Sequence, residues 1–301
     1  MKISGFSYAK NADSLGYPVA ESIRSILPVC DEFVVAVGKG DQGDRTRDLI
    51  FEIGDPKIRI IDTVWPAWEK TNDHIFRQQA NLALAACTGD WCFHIQSDEV
   101  VHENDLPHIR KRCEDLLGDV AVEAMLFHWI HFWGDYEHYQ VNHRFFKKDI
   151  RIVRNRIGAE SYIDSQSFRI AARKMRAVQL DARIFHYNMV RPPRLMRSKQ
   201  LAMAEVYFGK DATLDRYKAA PPEFDYGPLN RLPRFTGTHP AVMADRISRF
   251  DWAKSLDYKG ESPARFDHDR PKYKILTFLE QRLCGGRSIG GFNNFKLLKR
   301  K

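Results

Sequence analysis

Residues 90–103 read DWCFHIQSDEVVHE, a run of apolar residues that ends on Gln96, Ser97 and two adjacent carboxylates, Asp98 and Glu99. An acid at a strand end is cheaply solvated, so this can be a strand that simply stops. A strand end also holds a carboxylate rigidly, as a cation requires. A hard divalent cation, Mg²⁺ or Mn²⁺, takes oxygen ligands and often only one or two from protein, with phosphate oxygens and water completing the shell. Asp98 is the candidate ligand. His186, in the apolar run Ile184–Tyr187, offers an imidazole nitrogen, which favours Mn²⁺. A lone histidine is equally a structural residue. Asp98 and Glu99 are not the paired acids of a glycoside hydrolase if the strand continues, because neighbours on a strand point to opposite faces. Asp44, in the loop after an earlier strand, is placed to accept hydrogen bonds from a nucleobase or ribose.

The elements that must position these groups alternate in the first third of the chain. Strands are predicted at 3–8, 32–37, 58–64 and 91–95, with helices at 17–26, 45–53 and 74–86 between them. Such interleaving predicts an α/β fold with a mainly parallel central sheet flanked by helices, and ligands on such sheets bind outside the carboxyl ends of the strands. A helix at 105–117, an aromatic strand at 123–133 and short strands at 145–154, 168–172 and 183–187 follow. A helix at 194–208 and a Pro-, Gly- and aromatic-rich segment at 219–240 complete the pattern. A boundary near residue 190 separates residues 1–190 from a C-terminal helical and loop extension, 191–301.

Composition narrows the classes. The 301 residues include five cysteines without a CxxC pair, which suits a reducing cytosol and argues against zinc. No apolar run reaches the length of a membrane span, and MKISGFSYAKNADS has no signal-peptide pattern, so a cytoplasmic protein is expected. The formal net charge is +8, and Phe295–Lys301 is basic with apolar residues interleaved. That tail reads as a solvated end or as a peripheral tether to an anionic membrane at its inner face. No nucleic-acid-binding pattern is present, so no nucleic-acid partner is expected.

A GxGxxG match, Gly38 to Gly43, follows a strand and precedes a helix, and Asp62 ends the next strand at the spacing of a ribose-binding acid. This predicts an NAD(P)-dependent oxidoreductase. Against it, Asp41 and Asp44 sit where a pyrophosphate would approach, and a complete strand–helix unit precedes the motif.

Four segments in order, ISGFSYAKN (3–11), DEFVVAV (31–37) with Asp44, RQQAN (77–81) and DWCFHIQSDE (90–99), resemble the inverting glycosyltransferases of family 2 with the GT-A nucleotide-sugar fold. The resemblance covers residues 1–110 and is closest to bacterial enzymes of lipopolysaccharide core and surface glycans. It implies a hexosyltransferase-type enzyme, with residues 1–110 as a nucleotide-binding half and 111–190 as an acceptor half. The last segment resembles the DXD box, with Gln96 in place of the first acid and Asp98 as metal ligand together with His186. Phe6, Tyr8, Asn11, Gly38, Asp44, Asn81, Gln96, Ser97 and Arg191 are the implied contacts to a nucleoside-diphosphate sugar. The partner is a glycan or lipid-linked acceptor. Gln96 also suits a non-catalytic module that binds donor without turnover.

Sugar transfer needs a general base opposite the leaving diphosphate. Asp164, among polar residues between strands, is the first candidate and Asp135 the second, although either suits a turn. Arg191, Arg194, Arg197 and Lys199 form a diphosphate clamp or a solvated basic face, and the resemblance implies a closing loop at 188–193. Trp129, Trp133, Tyr136 and Tyr139 are core or a sugar platform, and His239 lies in the acceptor cleft or a turn.

Overall fold

The computed structural model describes residues 1–66, 74–290 and 293–299. Its centre is a twelve-stranded sheet with helices packed on it. The first strands are β1 (Ile3–Ala9), β2 (Glu32–Gly38), β3 (Ile58–Thr63) and β4 (Trp91–His94), joined by helices Val19–Ile26, Thr46–Phe51 and Ile75–Ala85. They pair in parallel in the order β3-β2-β1-β4. After Glu32, β2 is apolar because a central parallel strand is covered on both faces, and Phe33 to Val37 are all buried.

Beyond β4 the sheet is mixed rather than mainly parallel. β5 (Glu99–Val101) opens directly after the acidic turn, and the Leu106–Asp115 helix follows. β6 (Ala124–Trp133), β7 (Tyr139–Gln140) and β8 (Lys148–Arg154) come next. The hairpin β9 (Ala159–Tyr162) and β10 (Ser167–Ile170) leads into the 17-residue β11 (Arg173–Met189). β4 pairs antiparallel with β8, β8 antiparallel with β6, β6 parallel with β11, and β11 antiparallel with β5 and β10. The expected strand at 183–187 is thus the end of β11, whose register to β6 shifts between Gln179 and Arg183. The tail is not simply solvated: β12 (Phe295–Leu297) pairs with β11 and buries Phe295, while Arg300 and Lys301 lie outside the described residues.

The aromatic residues of β6 and its following turn are core, not a sugar platform. Trp133 donates from Nε1 to the Tyr226 carbonyl at 2.9 Å and packs with Phe224, Leu229 and Leu256 of the C-terminal segment. Tyr136 packs with Phe132 and Tyr187, and Tyr139 lies against that cluster. His239 is satisfied in this interior, Nδ1 with the Tyr187 hydroxyl at 2.8 Å and Nε2 with the Tyr136 carbonyl at 2.9 Å. Asp135 is also structural. It is buried and accepts from the backbone N–H groups of Glu137 and His138, from His138 Nδ1 and from the Tyr258 hydroxyl. It buckles the turn after β6, so it is not the second candidate base.

One buried ion pair ties β8 to β5 and so to the acidic turn. Arg151 of β8 donates from Nε to Glu99 Oε2 at 2.8 Å and from Nη2 to Glu99 Oε1 at 2.5 Å, with both side chains 1% exposed. Removing one partner of such a pair strands a buried charge. Glu99→Gln is therefore expected to cost about 3–5 kcal/mol of stability, read as a lowered denaturation midpoint. Asp149, also on β8, supplies a pH dependence. Burial pushes its carboxyl up from 3.8 to about 6. The folded state then holds this proton more tightly than the unfolded chain does, so its contribution to stability is lost as pH rises from 3.8 to about 6. In Asp149→Asn, denaturation midpoints measured across that interval should lose this fall.

Candidate active site

A cleft of about 770 Å³ opens at the carboxyl ends of β1 and β4, with the Pro193–Phe208 helix along one side. Its acidic floor is a rigid turn. Gln96 N–H donates to Glu99 Oε2 at 3.1 Å, Glu99 N–H to the Gln96 carbonyl at 3.0 Å, and Tyr187 N–H to the Asp98 carbonyl at 2.8 Å. The chain does not stop at the acids but resumes as β5, with Glu99 registered opposite His186. Glu99 turns inward to Arg151, and Asp98 lines the cleft.

Asp98, Glu99 and His186 are the one group of three metal-ligating side chains among the described residues, with ligand atoms within 4.8 Å of one another. Both Glu99 oxygens are engaged by Arg151, so the usable donors are Asp98 and His186. Burial raises the Asp98 carboxyl pKa, but His186, Lys199 and Arg191 outweigh it and hold the group well below the usual carboxylate range. Asp98 Oδ2 lies 3.7 Å from His186 Nε2.

The hydrogen bonds place a proton on His186 Nδ1. His131 Nε2 contacts the Phe146 carbonyl at 2.8 Å, and a carbonyl only accepts, so Nε2 carries the proton. Burial, with His186 beside it, pushes the His131 pKa well down and keeps the ring neutral, leaving Nδ1 as an acceptor. His186 Nδ1, at 2.9 Å from it, must donate. With Nδ1 held as the donor, Nε2 is the His186 nitrogen that faces Asp98 and is available to a cation. One imidazole nitrogen and one carboxylate, oriented by a second histidine, fit a Mn²⁺-type cation that takes its other ligands from phosphate and water.

The remaining expected contacts divide. Tyr8, Asn11, Gln96 and Ser97 line the cleft. Phe6 does not; it is fully buried beneath the floor, its ring 4.8 Å from that of His94. Gly38 acts through Trp65, because a Cβ at 38 would stand 2.4 Å from Trp65 Nε1, and Trp65 lines the cleft. Asp44 ties loops together, accepting from Ser14 and Thr46 N–H at 3.1 Å each. Asp41 takes the cleft position instead, joined to Asn11 by two hydrogen bonds of 2.8 Å. Asn81 Oδ1 accepts from Ser161 N–H at 2.7 Å and supports the β9–β10 hairpin.

Arg191 is buried behind the wall, its guanidinium 4.4 Å over the Tyr17 ring, and borders a separate pocket of about 200 Å³. Of these four basic residues Lys199 lines the cleft, donating to the Asn188 carbonyl at 2.7 Å, with burial pushing its pKa well down. Arg194 is exposed, and Arg197 reaches toward the Glu223 carbonyl.

Asp164 lines the cleft at the tip of the β9–β10 hairpin and accepts from the Tyr207 hydroxyl at 3.0 Å. Its neighbours Ile163 and Ser165 have φ of 56° and 67°, a costly conformation for a β-branched residue. Gln96 braces this tip: its Nε2 donates to the Ser165 carbonyl at 3.1 Å and to the Tyr8 hydroxyl at 3.3 Å. His131 and Tyr207 were not evident in the sequence as site residues; the only trace of His131 is its place on the aromatic strand, in register with His186.

The GxGxxG stretch is poorly arranged for a dinucleotide. Trp65 covers Gly38, the following helix has only six residues, and Arg47 holds Asp62 through two bonds of 2.7 and 3.0 Å.

No protein-family model matches the chain. No curated protein matches it either. Solved structures of glucosyl-3-phosphoglycerate synthase from Mycobacterium tuberculosis align at a TM-score of 0.30. One, with Mn²⁺, UDP and phosphoglyceric acid, is 21% identical over 42% of this chain and 43% of that one. Another, with Mn²⁺, UDP and glucosyl-3-phosphoglycerate, is 22% identical over 44% and 45%. The alignments span less than half of each protein, and a likeness of that size fixes neither family nor activity.

Replacing His131 tests the proton placement on His186 directly. In His131→Phe the acceptor for His186 Nδ1–H is gone, and apparent Mn²⁺ affinity, followed by loss of the free-ion paramagnetic signal, is expected to fall about 10–100-fold. His131→Asn, which restores an acceptor oxygen, should retain most of it.

Proposed function

We propose that this chain is a metal-dependent inverting glycosyltransferase of the GT-A type. It would move a sugar from a nucleoside diphosphate to a hydroxyl of a glycan or lipid-linked acceptor. The observation that carries the reading is the pair Asp98 and His186, held at strand ends beside the cleft, with Asp164 on a separate hairpin lining the same space. The sequence resemblance to enzymes of lipopolysaccharide and surface-glycan synthesis supplies the acceptor class.

Asp98 and the Nε2 of His186 would hold a Mn²⁺ or Mg²⁺ ion, whose charge offsets that developing on the leaving diphosphate. Lys199 adds a protein cation within the same cleft. The Asn11–Asp41 pair presents a carboxylate to the base or ribose. Asp164 accepts the proton of the attacking hydroxyl, with the Tyr207 hydroxyl orienting its Oδ2. A single displacement would turn an α-linked donor into a β-linked product.

Thermal shift against UDP, GDP, CDP and NAD, each with and without Mn²⁺, tests the reading. One nucleoside diphosphate should raise the melting temperature only with metal, and Asp98→Ala should abolish that rise. Asp164→Asn should keep nucleotide binding while transfer falls about 10²–10⁴-fold. Stabilisation by NAD without metal would point to the oxidoreductase instead. Metal-dependent binding of a donor that is never turned over would leave a binding module.

A further inference from the structure

The Pro271–Leu283 helix is attached to the body along one side only. Glu280, fully buried, accepts from His143 Nδ1 at 2.6 Å and from Ile289 N–H at 2.8 Å. Thr277 Oγ1 accepts from His143 N–H at 2.9 Å. On the opposite side Ile275, Phe278 and Arg282, spaced i, i+3, i+7, form one stripe. Ile275 is 61% exposed and Phe278 62%, and Leu283 stands in solvent at the helix end.

From the helix onward the sequence is strongly basic, although Asp267 and Asp269 just ahead of it pair with Arg270 and Lys274. Residues 270–301 contain nine lysines and arginines and a single acid, the buried Glu280. Their balance equals the formal net charge of +8 of the whole chain, so the remainder of the protein is neutral. Lys272 and Lys274 are also exposed, near the start of the helix. Lys272, Arg282, Arg287 and Lys296 make no ion pair among the described residues.

Exposed apolar side chains set among unpaired cations suit the boundary between acyl chains and anionic headgroups. A second copy of the chain would bring like charge against like, and a nucleic acid has no use for the Ile275–Phe278 stripe. We propose that this helix face docks the protein on an anionic lipid bilayer. The docking face is the helix, with the basic tail as an accessory rather than the anchor. It also lies close to the cleft along the chain: His143 binds the helix, and Phe146, three residues on, lines the cleft. Only the suggestion that the bilayer presents a lipid-linked acceptor rests on the function proposed above; docking itself does not.

The test is flotation of the full chain with phosphatidylglycerol-containing vesicles and with pure phosphatidylcholine vesicles. Binding should require the anionic lipid and weaken as salt rises from about 0.1 M to about 1 M. The double variant Ile275→Ser, Phe278→Ser should partition about tenfold or more worse, with an unchanged melting temperature. Lys272→Glu with Arg282→Glu should weaken binding to anionic vesicles without touching an apolar residue. Wild-type binding by the serine variant overturns the proposal. So does a wild-type dimer that the serine variant converts to monomer while neither protein floats, or retention on oligonucleotides with no flotation.

Discussion

The site depends on one buried guanidinium. Arg151 grips both oxygens of Glu99, donates from Nη1 to the Ile150 and Gln166 carbonyls, and stacks 4.6 Å over the Trp129 ring. Four hydrogen bonds and a counter-charge offset the large penalty of taking this cation out of water. Three parts of the chain are joined as a result: the acidic turn after β4, strand β8 and the hairpin that carries Asp164. The pair also divides the two adjacent acids. Glu99 is committed to Arg151, which leaves Asp98, in the turn just before β5, as the acid of the two whose oxygens Arg151 does not occupy.

Gln96 follows from the same arrangement. Its amide nitrogen donates to the Ser165 carbonyl and the Tyr8 hydroxyl. An ionised carboxylate there would meet the carbonyl oxygen with another acceptor, and the strained hairpin tip would lose its brace. This amide thus has a positional task, bracing the hairpin tip that carries Asp164. That weakens the case for Gln96 as a sign of lost catalysis.

The parallel half of the fold was legible because its signals are local. Runs such as EFVVAV are buried on both faces and are followed by helical spacing. Asp98 was legible for the same reason, as an acid at the end of an apolar run. The role of Glu99 was not, since its partner is 52 residues away and nothing near it in sequence specifies an arginine. β11 was recognised only at its end because arginines and lysines interrupt the apolar alternation of its earlier residues, and a register shift breaks the pattern at 179–183. The mixed pairing was hidden because it is decided by contacts between distant strands. Asp135 and Asp164 looked alike as isolated acids. Only the surroundings separate them, four donors around a buried turn in one case and a cleft-facing oxygen beside Tyr207 in the other.

In a cleft lined by both acids and bases, the surroundings of Asp98 and Lys199 bear on the ligand proposed above. Asp98 is held ionised by His186, Lys199 and Arg191. Burial works against the charge on Lys199, with Arg191 adding to the effect and Asp98 the counterweight. A neutral occupant would deepen that burial and weaken the ammonium further. A diphosphate does the opposite, restoring the charged form by supplying negative charge where water has been excluded. It would also crowd the Asp98 carboxylate with like charge unless a cation lay between them, and His186 Nε2 stands 3.7 Å from that carboxylate. Under the proposed function, Lys199 and His186 would serve the same occupant, a phosphate-bearing ligand accompanied by a divalent ion.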